Sequence, residues 1–181
     1  MQTQFKKSNE SDVIISQLML PSHSNFGGKI HGGYILSLMD QIAFACASKH
    51  SENYCVTASV DTVDFINPIE VGRLVTMHAS INYVGKSSMV VGIRVESEDI
   101  RTSDVKHCNS SYFTMVAKDK DGNTVAVPGL ILETDDDVRR FVKAIKRKQM
   151  NRSQKQEFND MDFTALKYIE ELEQYNVQIN V

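Results

Sequence analysis

The sequence predicts an α+β fold in which an antiparallel sheet wraps around one long central helix, followed by a charged helical extension. An apolar segment with helical periodicity runs from about Gly32 to about Lys49. Segments of alternating polar and apolar residues come after it and are typical of strands. Antiparallel strands with one polar face pack their other face on something, and the long apolar helix is the element available for the sheet to enclose.

The central helix is introduced by two glycine pairs, Gly27-Gly28 and Gly32-Gly33. Its apolar residues recur at the spacing of one helix face, with Ile35 and Ile42 beside them; the face consists of Leu36, Met39, Ala43 and Cys46. Because the segment is apolar on more than one side, we expect the protein to enclose this helix.

Asp40 is the one charge that interrupts this apolar run, and it lies about two turns into the helix, too deep to be an N-cap. A carboxylate in apolar surroundings costs free energy unless it is hydrogen-bonded or paired. Two hypotheses follow: a structural carboxylate satisfied by a neighbouring backbone or hydroxyl group, or a general base or nucleophile with a tuned pKa. The pattern alone favours neither.

One strand is predicted before the helix and four after it: Val13–Met19, Tyr54–Val63, Leu74–Val84, Ser87–Glu96 and His107–Lys118. Alternation in the third of these places Tyr83 on the inner face and Asn82 opposite. We expect Ser97–Val105 to be a polar loop. Asp119–Asn123 carries the Asp-Gly signal of a hairpin turn, and Thr124–Val127 is predicted to be a short return strand.

A chain of 181 residues fits one domain with an appendage. We predict a flexible N-terminus over residues 1–11, the sheet-and-helix domain over 12–129, and a charged helical extension over 130–181. The extension contains a polar linker, Asn151–Asn159, and then an amphipathic helix whose apolar positions are Phe163, Leu166, Ile169 and Leu172.

A basic run in the extension follows three aspartates, a distribution that the helix dipole favours. It begins with Arg139, Arg140 and Lys143. The run is either a solvated helix face or a cationic rim for an anionic ligand.

The composition restricts the kinds of binding partner expected for this protein. A net charge of −3 argues against a nucleic-acid partner. Three cysteines without a CxxC pair predict a reduced, cytoplasmic protein without a zinc site, and no histidine pattern indicates another metal. There is no signal-like segment and no apolar run of the length that a membrane span needs, so no membrane partner is expected.

Three blocks of the sequence, HSNFGGKIHGGYILSLMD, VTASVDTVDFINPIEVG and YVGKSSM, resemble the acyl-CoA hydrolases of the hot-dog fold. They are most similar to the small bacterial and the brain-type enzymes, and the resemblance covers roughly Leu18–Pro128. It implies the hot-dog fold and hydrolysis of acyl-CoA thioesters, with no cofactor beyond the coenzyme A of substrate and product. It also implies a homo-oligomer with the dimer as its unit, commonly a trimer of dimers.

The resemblance also implies an active site at the dimer interface, where Asn25 of one subunit and Asp40 of the other are catalytic. The backbone N–H groups of Gly32 and Gly33 would form an oxyanion hole. Thr57 would lie near the site and hold Asp40, and the turn that contacts coenzyme A would consist of Val84, Gly85, Lys86, Ser87 and Ser88. His31 stands where the family often has an aromatic residue, which bears on acyl-chain preference.

Each of these residues also has a plain structural interpretation, as a turn asparagine, a strand threonine or an exposed hairpin lysine. Two other functions remain open. A hydratase or dehydratase of the same fold usually needs a histidine with a carboxylate at the helix, and Asp40 is the only helix acid here. A non-catalytic acyl-CoA-binding protein would keep the ligand-binding groove and lack the catalytic carboxylate, and the presence of Asp40 argues against it. Whether Asp40 acts as base or nucleophile also stays open.

Overall fold

A computed structural model describes residues 4–172 and 174–180, without the side chains of residues 165, 166 and 170. The chain forms two compact units, Met1–Ala144 and Ile145–Val181. The strands are β1 (Phe5–Lys7), β2 (Val13–Leu18), β3 (Tyr54–Val60), β4 (Leu74–Val84), β5 (Ser88–Asp99), β6 (Asp104–Lys118) and β7 (Gly129–Ile131). The helices are α1 (Gly32–Ser51), α2 (Asp135–Asn159) and α3 (Ala165–Leu172).

Five strands form an antiparallel sheet in the order β2-β4-β5-β6-β3, and α1 packs on its inner face. The inner residues of the three central strands meet one side of α1 in a closed apolar core, to which Met39, Ile42, Met77, Val91, Met115 and others contribute. The predicted α+β fold, an antiparallel sheet wrapped around a long helix, is confirmed. None of the helices in the described part of the chain is long and apolar enough to cross a membrane.

The predicted loop Ser97–Val105 is wrong, because β5 and β6 continue through most of it to a tight turn. Ser97 pairs with Lys106, and Ser103 has a φ of 58° in the turn. The segment looks like a loop in sequence because its strands are polar. Ion pairs replace apolar packing here: Arg73 lies 3.9 Å from Asp99 and 3.6 Å from Asp104.

A β-bulge between Ile81 and Tyr83 moves Tyr83 away from its predicted inner position. Val84 pairs with the buried Met89, so the inner face resumes at Val84. The ring of Tyr83 instead lies 5.2 Å from that of Phe141 in α2. Since an extra residue in one strand breaks the alternation of side chains, Asn82 and Tyr83 both serve the outer face.

The predicted flexible N-terminus is structured from Phe5 onwards. β1 pairs in parallel with β7, and Lys6 Nζ donates to the carbonyl of His50 at 3.0 Å. Thr124–Val127 is not a strand: Thr124 forms an isolated bridge with Lys118, and the N–H groups of Val125 and Val127 donate to Ala117 O at 3.1 Å and Lys86 O at 3.0 Å. The boundary predicted before residue 12 therefore divides β1 from its partner β7, and the boundary predicted after residue 129 falls within β7.

The predicted linker Asn151–Asn159 is also wrong, because α2 continues through it. The segment contains Gln, Lys, Arg and Glu, which are good helix formers without an apolar stripe. The last amphipathic helix is confirmed as α3, with Phe163 just ahead of it. The side chain of Leu166 lies outside the described residues.

Candidate active site

Asp40 lies on a side of α1 that the chain leaves open. Its exposed neighbours on the helix are Ser37, Gln41 and Phe44, whereas the opposite side is buried. The prediction that the protein encloses the helix is therefore wrong on this side of the single chain. Phe44, an apolar residue of the same helix, faces outward at this surface.

Thr57 holds the Asp40 carboxylate from the neighbouring strand. Its hydroxyl donates to Asp40 Oδ1 at 2.5 Å and also lies 3.5 Å from Met115 Sδ. Thr57 reaches this position from β3, the edge strand of the sheet, where the register shifts between Thr57 and Ser59. Among the described residues no partner binds Asp40 Oδ2, so one carboxylate oxygen is fixed and the other is available for chemistry.

The open side of α1 and the edge strand β3 form one continuous surface, which we call the α1–β3 surface. Its exposed apolar residues include Phe44, Tyr54 and Val60, and the rings of Phe44 and Tyr54 meet edge to face at 5.7 Å. An exposed apolar surface beside an unpaired strand edge is typical of a protein interface. Asp40 and Thr57 lie within it.

Asn25 is fixed in the loop before α1. Its Oδ1 accepts from the N–H groups of Gly27 at 2.9 Å and Lys29 at 3.2 Å. Gly28 closes the turn with a φ of +75°, a conformation that glycine adopts without strain. The turn interpretation is therefore correct for the oxygen of Asn25. The Nδ2 group has no partner in the described part of the chain and remains a donor.

Each of the two glycines at the start of α1 is covered by an aromatic ring. His31 is the N-cap, and its Nδ1 accepts from Gly33 N–H at 2.9 Å. A Cβ on Gly32 would lie 3.2 Å from the ring of Phe65. Gly32 N–H has no acceptor among the described residues. The expected oxyanion hole is thus half free and half occupied by the chain's own histidine.

The predicted site residues do not all meet within one chain. Asp40 is eight residues beyond Gly32 on the same helix, which corresponds to about 12 Å along its axis. No hydrogen bond joins Asn25 to Asp40 among the described residues. One chain therefore presents two separate half-sites: Asn25 with the glycines, and Asp40 with Thr57.

The turn Val84–Ser88 lies at the same end of the sheet as Thr57. Met89, the residue after the turn, pairs with Met115, which pairs with Thr57, so the turn ends about two strand spacings, ~10 Å, from the backbone of Thr57. Gly85 N–H donates to Ser88 O at 2.7 Å and closes the turn. Lys86 is exposed at its tip.

Neither the capping bond of His31 nor the ring of Phe65 over Gly32 is evident from the sequence. Histidine is not a preferred N-cap, and Phe65 is distant from Gly32 in sequence, so no local pattern indicates either contact. The buried Cys46 offers no alternative nucleophile on α1, since burial raises the pKa of its thiol to about 12.

Comparison with known proteins agrees with this architecture. The family model of the Thioesterase superfamily matches residues 27–103. Protein VdlD of Helicobacter pylori is 43% identical over 143 residues, which cover 79% of this chain and 82% of VdlD. The uncharacterized acyl-CoA thioester hydrolase YkhA of Bacillus subtilis is 32% identical over 85% of this chain and 88% of YkhA.

Two solved structures are similar over nearly their whole length. An apo-hexameric acyl-CoA thioesterase is 33% identical with a TM-score of 0.81, and the match covers 83% of this chain and 97% of that one. The acyl-CoA hydrolase of Staphylococcus aureus, in complex with butyryl coenzyme A, coenzyme A and coenzyme A disulfide, is 30% identical with a TM-score of 0.79 over 94% and 99% of the two chains. The chain therefore belongs to the Thioesterase superfamily, as one of its hot-dog-fold acyl-CoA hydrolases.

Proposed function

We propose that the protein hydrolyses acyl-CoA thioesters to coenzyme A and a carboxylic acid, at sites that two copies of the chain complete together. The observation that carries the proposal is the Asp40 carboxylate, fixed by Thr57 on the open side of α1 with one oxygen available. A hydratase would need a histidine beside this carboxylate, and no histidine bonds to Asp40 among the described residues. The proposed chemistry requires no cofactor or metal.

The spacing of the site residues supports the assignment. Structures of the S. aureus hydrolase include three variants in which an Asn, an Asp and a Thr are each replaced by Ala. These residues follow one another at intervals of 15 and 17 positions, the same intervals that separate Asn25, Asp40 and Thr57.

The separation of the two half-sites supports the sharing between chains. A thioester carbonyl bound at Gly32 cannot also reach Asp40 about 12 Å away on the same helix. In a two-fold dimer through the α1–β3 surface, the start of one α1 would face the middle of the other. Each reaction centre would then take Asn25 and the glycines from one copy and Asp40 with Thr57 from its partner.

In the proposed mechanism Asp40 takes a proton from a water molecule, and the water oxygen attacks the thioester carbonyl carbon. The N–H groups of Gly32 and Gly33 stabilise the oxyanion, with the substrate oxygen replacing His31 Nδ1 as the acceptor at Gly33. The C–S bond then breaks, and coenzyme A leaves as a thiolate that takes the proton. Asn25 donates from Nδ2 to the carbonyl or the water. Direct attack by Asp40, through an anhydride, is the alternative route.

We also propose that the dimer assembles further into a trimer of dimers. The support is that three structural relatives of this chain are hexameric thioesterases. Sedimentation at micromolar protein concentration tests this, and a monomer would contradict both the assembly and the shared site.

The test of the function is release of free thiol from a panel of acyl-CoA esters by the purified protein. Asp40→Asn should lower kcat by about a thousandfold or more, because the base is lost while the amide keeps the shape. Asp135→Asn, an exposed carboxylate at the start of α2, is the matched control and should leave kcat unchanged. The proposal fails if no ester releases thiol, or if Asp40→Asn is as active as the wild type.

A further inference from the structure

The outer face of the sheet, opposite α1, carries a polar cleft that the proposed hydrolysis does not use. The cleft lies between the central strands and the first turns of α2 and has a volume of about 540 Å³. Cross-strand pairing builds its floor from two rows, one with His78, Arg94 and Ser110 and the next with Ser80, Gly92 and Tyr112. The polar residues that alternate along these strands therefore line a concave surface.

Asn82 is a buried polar residue at this cleft. It is 8% exposed, and its Oδ1 accepts from Ser80 Oγ at 3.1 Å. Its Nδ2 has no partner among the described residues. A Cβ on residue 92 would come within 2.1 Å of this Nδ2, so the space for the amide exists only because residue 92 is glycine. The bulge that displaced Tyr83 brings Asn82 to this position.

Cations surround the cleft. Its lining has four permanent positive charges and two negative ones, a net of +2 on a chain whose total is −3; the cations are Arg94, Arg139, Arg140 and Lys143, and the anions are Asp12 and Glu96. Arg140 donates to Ser80 Oγ at 3.3 Å, Arg139 and Arg140 both pair with Asp136 outside the lining, and Arg94 pairs with Glu96 at 2.7 Å. Lys143 has no ion-pair partner among the described residues. A local positive field on a negative protein favours an anionic ligand.

We propose that this cleft binds an organic phosphate of about the size of a mononucleotide. Lys143 and the Nδ2 group of Asn82 are donors without a partner among the described residues, and phosphate is an acceptor-only ligand. The volume is in the range of small-molecule pockets and exceeds what an isolated phosphate ion fills. Tyr112 adds an aromatic ring for a base. The site is separate from Asp40, which lies beyond the opposite face of the sheet.

The phosphate has two chemical sources: a free nucleotide-like metabolite, or the nucleotide portion of coenzyme A bound at another copy of the chain. Titration calorimetry of the full-length protein with ADP, pyrophosphate and adenosine tests the shared chemistry. ADP and pyrophosphate should bind and adenosine should not. Affinity for ADP should fall as salt rises from about 0.05 to about 0.5 M, because part of the attraction is screened.

Two variants locate the binding. Lys143→Gln removes an exposed charge without a structural role and should weaken the affinity for ADP about fivefold. Asn82→Asp replaces the buried donor with an acceptor of the same shape and should abolish binding. Lys120→Gln, an exposed lysine in a distant turn, should change the affinity less than about twofold.

The KM for acyl-CoA separates the two sources. If Lys143→Gln weakens the affinity for ADP and leaves the KM for acyl-CoA unchanged, the ligand is a free phosphate ester. If the affinity for ADP and the KM change together, the ligand is the nucleotide portion of the substrate. The proposal is overturned if ADP and pyrophosphate do not bind at millimolar concentration, or if binding survives Lys143→Gln and is lost in Lys86→Gln. The latter result would assign the phosphate to the turn Val84–Ser88. Because ADP and pyrophosphate binding is measured directly, the test of the cleft does not depend on whether the protein hydrolyses thioesters; only the choice between the two sources uses KM.

Discussion

The helices α1 and α2 are of similar length, 20 and 25 residues, but they contribute differently to the protein. On α1, nine residues are buried, most of them in the central core, whereas the buried residue of α2 among those described is Ala144. α2 presents its first turns to the outer face through the contacts Arg140–Ser80 and Phe141–Tyr83. One side of α1 therefore stabilises the core and the other carries Asp40, the proposed base, whereas α2 mainly contributes charged side chains.

The largest stability difference between the helices is expected from core truncation. Met39→Ala on α1 removes a side chain of 0% exposure from the centre of the core. It should lower the free energy of unfolding by about 2–5 kcal/mol, since the lost contacts leave a cavity. Val142→Ala on α2, an exposed position, should change it by less than about 0.5 kcal/mol. Urea unfolding of both variants measures this, and equal losses would contradict the division of roles.

A smaller effect is expected from the hydroxyl that positions the base. Thr57→Val keeps the shape and removes the hydrogen bond to Asp40, so kcat should fall about tenfold while KM changes little. Thr76→Val, which removes a hydroxyl contact to Ser16 on the outer face, is the control. Thr57→Ser should restore most of the rate. A change in KM alone would assign Thr57 to substrate binding instead of positioning.

The smallest effect concerns pH at the buried end of α1. His50 has its Nδ1 3.0 Å from Ser11 Oγ and its Nε2 3.1 Å from Pro128 O, and burial lowers its pKa from the ordinary value of 6.5. Below about pH 6.5 the unfolded chain binds a proton at this position while the folded chain stays neutral. The contribution of His50 to the free energy of unfolding should therefore be fully present above about pH 6.5 and decline as the pH falls towards the lowered pKa of the folded state.

Urea unfolding at about pH 7.5, 6.5 and 5.5 measures this decline, at up to ~1.4 kcal/mol per pH unit for one group. The variant His50→Gln isolates the contribution, because glutamine does not titrate. The other histidines contribute equally to both proteins. Identical pH dependence in the wild type and in His50→Gln would show that His50 does not cause the decline.

Local sequence patterns were sufficient to predict the elements that bury one apolar face, because burial of one face produces a regular apolar spacing. The start of α1 at Gly32 was predicted correctly because the glycine pair and the apolar face coincide there. Strands β2, β3 and β4 were located within a few residues for the same reason. The hairpin around Ser103 and the helical end of α2, Asn151–Asn159, were not predicted, because ion pairs and helix propensity, not apolar alternation, maintain them.

The candidate site was predictable in its residue types and not in its geometry. Asp40 and Thr57 are 17 residues apart, and their contact was anticipated from a family resemblance, not from periodicity. The exposure of Asp40 was missed because apolar residues on an interface helix have the same pattern as those of a buried helix. The outer cleft was missed because Asn82, Gly92 and Lys143 meet only through strand register and a bulge.

The central claim, that each site takes Asn25 from one copy and Asp40 from another, is tested most directly by mixing two inactive variants. Asn25→Ala and Asp40→Ala should each be nearly inactive as homodimers. When the two are co-expressed, half of the dimers formed by random pairing are mixed, and each mixed dimer has one intact site and one site that lacks both residues. Thiol release should recover to about one quarter of the wild-type rate. A mixture as inactive as its parents, with mixed dimers confirmed by native mass spectrometry, would contradict the shared site.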